Sequence, residues 1–134
     1  MAIAWTPDLS VGLDQIDDQH KELFKKIDQL LEACNQGKGR VVIGELLDFL
    51  GDYVITHFGT EEVYMDRFAY PEAAVHKRQH AVFIKQFVEL KETFEKDGPG
   101  IHIIILTNQT VVAWLNTHIR NIDTKLGAFL KDKL

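Results

Sequence analysis

Cysteine is nearly absent: Cys34 is alone among 134 residues. A single thiol excludes an internal disulfide, and it excludes a zinc site built on several thiolates. Helix breakers are also scarce. Three prolines (positions 7, 71 and 99) and nine glycines fall below the roughly 12 % that these two residues usually make up, so three long stretches run without proline. No block of basic residues occurs, and 15 Lys and Arg against 20 Asp and Glu leave a formal charge of −5. Such a chain is a poor binder of nucleic acid or of an anionic membrane surface. No apolar run approaches the ~18 residues of a spanning helix, and Met1 to Pro7 has neither a basic segment nor an apolar stretch of the secretory kind. The chain is therefore expected to be cytoplasmic, with no membrane and no nucleic-acid partner.

What is present is a hydrophobic content of 46 % with eight Phe, three Tyr and two Trp, enough for one folded domain over residues 1–134. Breakers cluster at Asn35 to Gly39, at Tyr70-Pro71 and at Lys96 to Gly100. Between them apolar residues recur at spacings of 3 and 4, the signature of amphipathic helix. The first stripe is Ile16, Leu23, Phe24, Ile27, Leu30, Leu31 and Cys34; the others lie in the same rhythm. The spacing predicts helices over about 15–34, 41–68, 72–94 and 103–130. Four such helices with short connections imply an all-α protein, an antiparallel up-down-up-down four-helix bundle. Residues 1–14 are expected to form an extended N-terminal arm that Trp5 packs onto the bundle.

Six histidines remain to be explained. His20, His57, His76, His80 and His118, together with Glu61, fill positions where the apolar stripes are interrupted, on all four helices. A buried imidazole needs partners for both ring nitrogens, and a buried carboxylate costs several kcal/mol unless paired. A metal answers both needs. His57 with Glu61, and His76 with His80, are four apart and share a helix face. His118 and Asp123 are five apart, which on a regular helix leaves them roughly 140° apart; a π-type bulge, which widens the turn, is expected between them. His102 is out of phase and is expected at the surface. Glu62, Asp17 and Asp18 read as helix solvation, with Asp17, one turn before His20, placed to orient its ring instead, and Cys34 reads as a small core filler.

Seven candidate ligands exceed what one ion takes. Two octahedral ions sharing five histidines, two bridging carboxylates and one bridging oxygen would have roughly eleven of twelve positions filled, leaving one for a small ligand. The donor set suits zinc, iron, copper or nickel, and the lack of thiolate argues against structural zinc.

Asp17-Asp-Gln-His20, His57-Phe-Gly-Thr-Glu61-Glu, Tyr70-Pro71 followed by His76-Lys-Arg-Gln-His80, and Trp114-Leu-Asn-Thr-His118-Ile with Asp123 resemble the hemerythrin pattern, in its single-domain bacterial form, over positions 5 to about 127. The resemblance implies two iron ions (Fe2+/Fe3+) with an oxo or hydroxo bridge. One would be held by His76, His80 and His118, the other by His20 and His57, with Glu61 and Asp123 bridging. It implies reversible O2 binding at the His20/His57 iron, for storage, transport, delivery or sensing, and not an enzyme. Phe58 and Leu115 are the expected apolar walls of the O2 pocket. A di-iron oxidase or peroxidase, iron storage and nitric oxide binding use the same residues and stay as alternatives. The expected partners are O2 and a separate protein partner or reductase, and the expected state is a monomer.

Overall fold

The computed structural model describes residues 4–134. Four helices dominate it: α1 (Asp14–Asn35), α2 (Arg40–Arg67), α3 (Ala73–Asp97), and a fourth, α4, assembled from consecutive segments. In α4, α-helical Ile101–Thr107, Ala113–His118 and Thr124–Leu130 alternate with π-helical Asn108–Val112 and Ile119–Asp123. Residues that bracket the segments keep right-handed helical dihedrals, so α4 is one continuous rod. Helices α1 and α2, α2 and α3, and α3 and α4 are in contact, and α1 meets α4 to close the ring. The connections are short, which sets successive helices antiparallel, as the breaker clusters predict. α3 runs on to Asp97 before Gly98, at φ 75°, ends it; only at such a φ is glycine favoured over other residues.

The apolar stripes meet along the axis in two separate clusters. The larger gathers Leu23, Ile27, Leu30, Leu47, Leu50, Phe83, Phe87 and Ile103 among others; the smaller consists of Met65, Tyr70, Leu126 and Leu130. Between them lies a band of buried polar side chains. Along α2 the order is Val54, His57, Phe58, Glu61, Met65, and along α4 it is Ile119, Asp123, Leu126, so the band crosses the bundle near one end. Cys34 packs half-buried against the larger cluster, as expected of a filler.

The N-terminal arm departs from its expected extended form. Its first residues, 1–3, lie outside the described ones, and Pro7–Leu9 forms a 3-10 turn. Proline suits the opening of such a turn because its N–H would lack a partner there anyway. Trp5 does pack on the core, with the Lys21 ammonium 4.6 Å from its ring centre. Leu9 and Val11 are buried. The arm is anchored by buried Asp17, whose carboxylate accepts from Ser10 Oγ at 2.6 Å and from the Val11 N–H at 2.8 Å. Asp17 therefore ties down the arm and does not orient His20. Val11 also lies so close to α4 that a Cβ on Gly127 would stand 2.0 Å from its carbonyl oxygen. Gly127→Ala is expected to destabilise the fold by about 1–3 kcal/mol through this overlap, read as a lower midpoint in urea unfolding; an unchanged midpoint would show that the arm does not dock there.

Candidate metal centre

All seven candidate ligands, the six that the helical phase selects and Asp123, are brought together. His20 comes from α1, His57 and Glu61 from α2, His76 and His80 from α3, His118 and Asp123 from α4, and none is more than 2 % exposed. They form two groups whose ligand atoms lie within 4.8 Å of one another: Glu61, His76, His80, His118 and Asp123 in one, and His20, His57, Glu61 and Asp123 in the other. Both carboxylates belong to both groups. The ring contacts respect the same division: His20 meets His57 at 4.6 Å between centroids, and His76 meets His80 and His118 at 4.6 and 4.9 Å.

Each carboxylate turns one oxygen to each group. Glu61 Oε1 lies 3.3 Å from His76 Nε2 and 3.1 Å from His80 Nε2, while Oε2 lies 3.2 Å from His57 Nε2 and 3.7 Å from His20 Nε2. Asp123 Oδ1 lies 3.0 Å from both His76 and His118 Nε2, and Oδ2 lies 3.1 Å from His20 Nε2. Close as they are, the five Nε2 atoms and four carboxylate oxygens are all buried without a hydrogen-bond partner among the described residues. Buried polar groups in native proteins are almost always satisfied. Nine that converge on two shared points, instead of pairing off, are what a pair of cations would satisfy. Nitrogen and oxygen donors without sulfur suit ions of intermediate hardness.

Local structure explains how Asp123 joins. The segment Ile119–Asp123 is π-helical, with the wider turn expected from the spacing, and it brings Asp123 Oδ1 to His118 Nε2. The π segment Asn108–Val112 has no counterpart in the sequence reading, because no ligand spacing marks it. His102 belongs to neither group, as expected; it is half-buried and not fully at the surface, with Nε2 shielded from water. Phe58 is buried with its ring stacked on His80, centroids 3.8 Å apart, and lies 5.9 Å from His57, so it covers the three-histidine group as well as the other. Leu115 is buried in the larger apolar cluster. Trp114 stacks on His118 at 4.4 Å.

The charges follow from this crowding. Burial works against a charged His20, but the Asp123 and Glu61 carboxylates, 3.1 and 3.7 Å from its Nε2, outweigh it and raise the group to about 9. His76 is raised to about 9 by the same two carboxylates, again against burial. Burial lowers His118. Glu61 and Asp123 are both held well below the carboxylate range: burial opposes this, and the surrounding histidines win. Burial and Glu72 together push the Tyr70 phenol, edge-on to His76, up to about 12.

The outer nitrogens reveal residues that the sequence reading missed. His57 Nδ1 lies 2.7 Å from Gln19 Oε1, His80 Nδ1 lies 2.9 Å from Glu62 Oε2, and His118 Nδ1 lies 3.0 Å from Gln79 Oε1. Glu62 is thus a partner of a candidate ligand, and its reading as helix solvation is corrected. The available signal was adjacency: Gln19, Glu62 and Gln79 each sit beside a candidate ligand in the chain. Helical phase discards such neighbours because they point about 100° away from the axis of the bundle, which is the direction of the next helix.

Comparison with known proteins agrees with this geometry. The family model for the hemerythrin HHE cation binding domain matches residues 11–130. A bacteriohemerythrin of Stenotrophomonas maltophilia is 36 % identical over 121 residues, covering 90 % of this chain and 76 % of that protein. A bacteriohemerythrin of Methylococcus capsulatus is 31 % identical over 129 residues, with 96 % of each covered. A crystal structure of wild-type hemerythrin superposes with a TM-score of 0.86 at 30 % identity, covering 98 % of this chain and 99 % of that one. The chain belongs to the hemerythrin family, whose domain binds a di-iron centre.

Proposed function

We propose that the protein binds O2 reversibly at a di-iron centre and serves to store, carry, deliver or sense it. The observation that carries this reading is the asymmetric sharing of the ligand atoms. Glu61 and Asp123 each offer one oxygen to either side, while three histidines stand on one side and two on the other. On this assignment His76, His80 and His118 hold one ion and His20 and His57 the other. His20 and His57 would give the second ion one protein ligand fewer, which would leave room there for a small molecule. Iron in this place supplies the reversible change of oxidation state that O2 binding requires.

The chain's own residues do the rest. The five imidazoles orient the ions, and the two carboxylates offset much of the positive charge. Buried Phe58 and Leu115 keep water, and with it protons, away from the centre. Five histidines to two carboxylates is a donor set poor in anionic oxygen, unlike the glutamate-rich sets of ferritin-like di-iron proteins. Weaker anionic donation stabilises highly oxidised iron less, which favours binding over oxidation chemistry.

Anaerobic reduction followed by admission and removal of O2, with iron content and the visible spectrum recorded, tests the reading. Two irons per chain and a band that comes and goes with O2 are expected. Irreversible bleaching with consumption of a reductant would instead make the protein an oxidase or peroxidase, and iron uptake far beyond two per chain would make it a store.

Proton linkage gives a second test. His20 and His76, raised from 6.5 to about 9 by their carboxylate partners, stabilise the metal-free fold fully below pH 6.5, and that contribution is lost as pH rises through 9. Metal-free protein should therefore melt at progressively lower temperature from pH 6.5 to 10. Bound metal must displace those same protons, so iron affinity should weaken by about tenfold or more per unit as pH falls from 8 to 6. A pH-independent affinity would exclude His20 and His76 as ligands.

Leu115→Asp brings a carboxylate and its water into the apolar wall, and the oxygenated protein should then oxidise to the diferric form severalfold faster; stopped-flow spectra at an unchanged rate would remove Leu115 from the pocket.

A further inference from the structure

Three of the five histidines have an acceptor on the outer nitrogen, and each acceptor is supplied by the preceding helix. Gln19 of α1 holds His57 of α2, Glu62 of α2 holds His80 of α3, and Gln79 of α3 holds His118 of α4. The Gln19 amide cannot be reversed without loss, because its Nε2 donates to Thr60 Oγ1 at 3.2 Å and that hydroxyl donates to the Thr56 carbonyl at 3.2 Å. Its Oε1 is thus the atom facing His57, so His57 carries its proton on Nδ1 and presents a lone pair on Nε2 to the centre. A carboxylate at His80 requires the same tautomer. The outer nitrogens of His20 and His76 are buried with no hydrogen-bond partner among the described residues.

The three acceptors differ in charge. Gln19 and Gln79 are neutral amides, whereas Glu62 is a carboxylate. Among the described residues its only ion pair is with His80: the nearby Lys77 ammonium is engaged by Asp66 at 2.6 Å. A hydrogen bond to a charged acceptor is roughly twice as strong as one between neutral groups, and it draws the Nδ1 proton outward and makes Nε2 a better donor to a metal. This single charged acceptor falls on the group that already has three histidines.

Resting on the di-iron reading above, we propose that Gln19, Glu62 and Gln79 form a helix-to-helix relay of positioning residues, and that Glu62, through His80, makes the iron of the three-histidine group the more easily oxidised of the two. The number of imidazoles and the charge behind them then bias the centre in the same direction. The residues would thus favour the reduced form of an ion at the position with room for a small ligand and the oxidised form at its neighbour.

Glu62→Gln keeps an acceptor oxygen and removes the charge, Glu62→Ala removes both, and Gln79→Glu adds a charge to the same group. In iron-loaded protein, Glu62→Gln should retain two irons per chain and shift the oxidised-to-reduced ratio at a fixed potential by about tenfold toward the reduced form, equivalent to about 59 mV for one electron. Gln79→Glu should shift it the opposite way. Glu62→Ala should lower iron affinity by about 10–100-fold, and Glu62→Gln should restore most of that loss. Equal midpoint potentials for wild type and Glu62→Gln, or undiminished iron affinity in Glu62→Ala, would overturn the proposal. If wild type takes up no iron, the reading of the centre fails. The relay is then judged in the same protein by nitrogen-15 NMR: Nδ1–H signals for His57, His80 and His118, with that of His80 moved by Glu62→Gln, support it, and Nε2–H tautomers refute it.

Discussion

Two carboxylates in the middle of a helical bundle are the constraint on which the rest depends. Glu61 and Asp123 are essentially inaccessible to water, and none of their four oxygens accepts a hydrogen bond from the described residues. Left alone, each buried charge would cost several kcal/mol. Five imidazoles from all four helices surround them, at distances short enough to stabilise the charge and in directions that aim every Nε2 at one of two shared points. The arrangement makes sense as a whole only with positive charge at those points. With metal in place, the polar band becomes a cross-link joining four helices that otherwise touch through apolar stripes.

That demand propagates outward. An α-helix cannot aim His118 and Asp123 at the same place, so α4 widens into a π turn at Ile119–Asp123. The apolar core is split into a large cluster on one side of the band and a small one on the other. Phe58 and Trp114 lie flat against two of the imidazoles, which keeps the band dry and fixes ring orientation. The outer nitrogens draw Gln19, Glu62 and Gln79 into the seams between helices, so residues facing neither the core nor open solvent become part of the centre.

The arm answers a different need. Trp5, Leu9 and Val11 add to the larger apolar cluster, and Val11 is also laid against Gly127 of α4. Asp17, although next in rhythm to the ligands, is spent on holding that arm through Ser10 and Val11. Proximity to the centre in sequence thus did not translate into a part in it.

The helices, their order and six of the convergent side chains were legible in the sequence, because each depends on a local periodicity: a stripe at 3 and 4 residues fixes which face is buried, and a histidine or glutamate in that stripe must be buried too. Even the π turn was legible, since the five-residue spacing of His118 and Asp123 conflicts with a regular helix. Residues whose role depends on the neighbouring helix were not. Gln19, Glu62 and Gln79 point sideways, and their partners lie 38, 18 and 39 residues away in the chain; nothing in the period of one helix says what faces them. The same holds for Asp17 and for Gly127, which is required by a backbone contact with the arm. Periodicity determines which way a side chain points; only the packed bundle decides what it meets there.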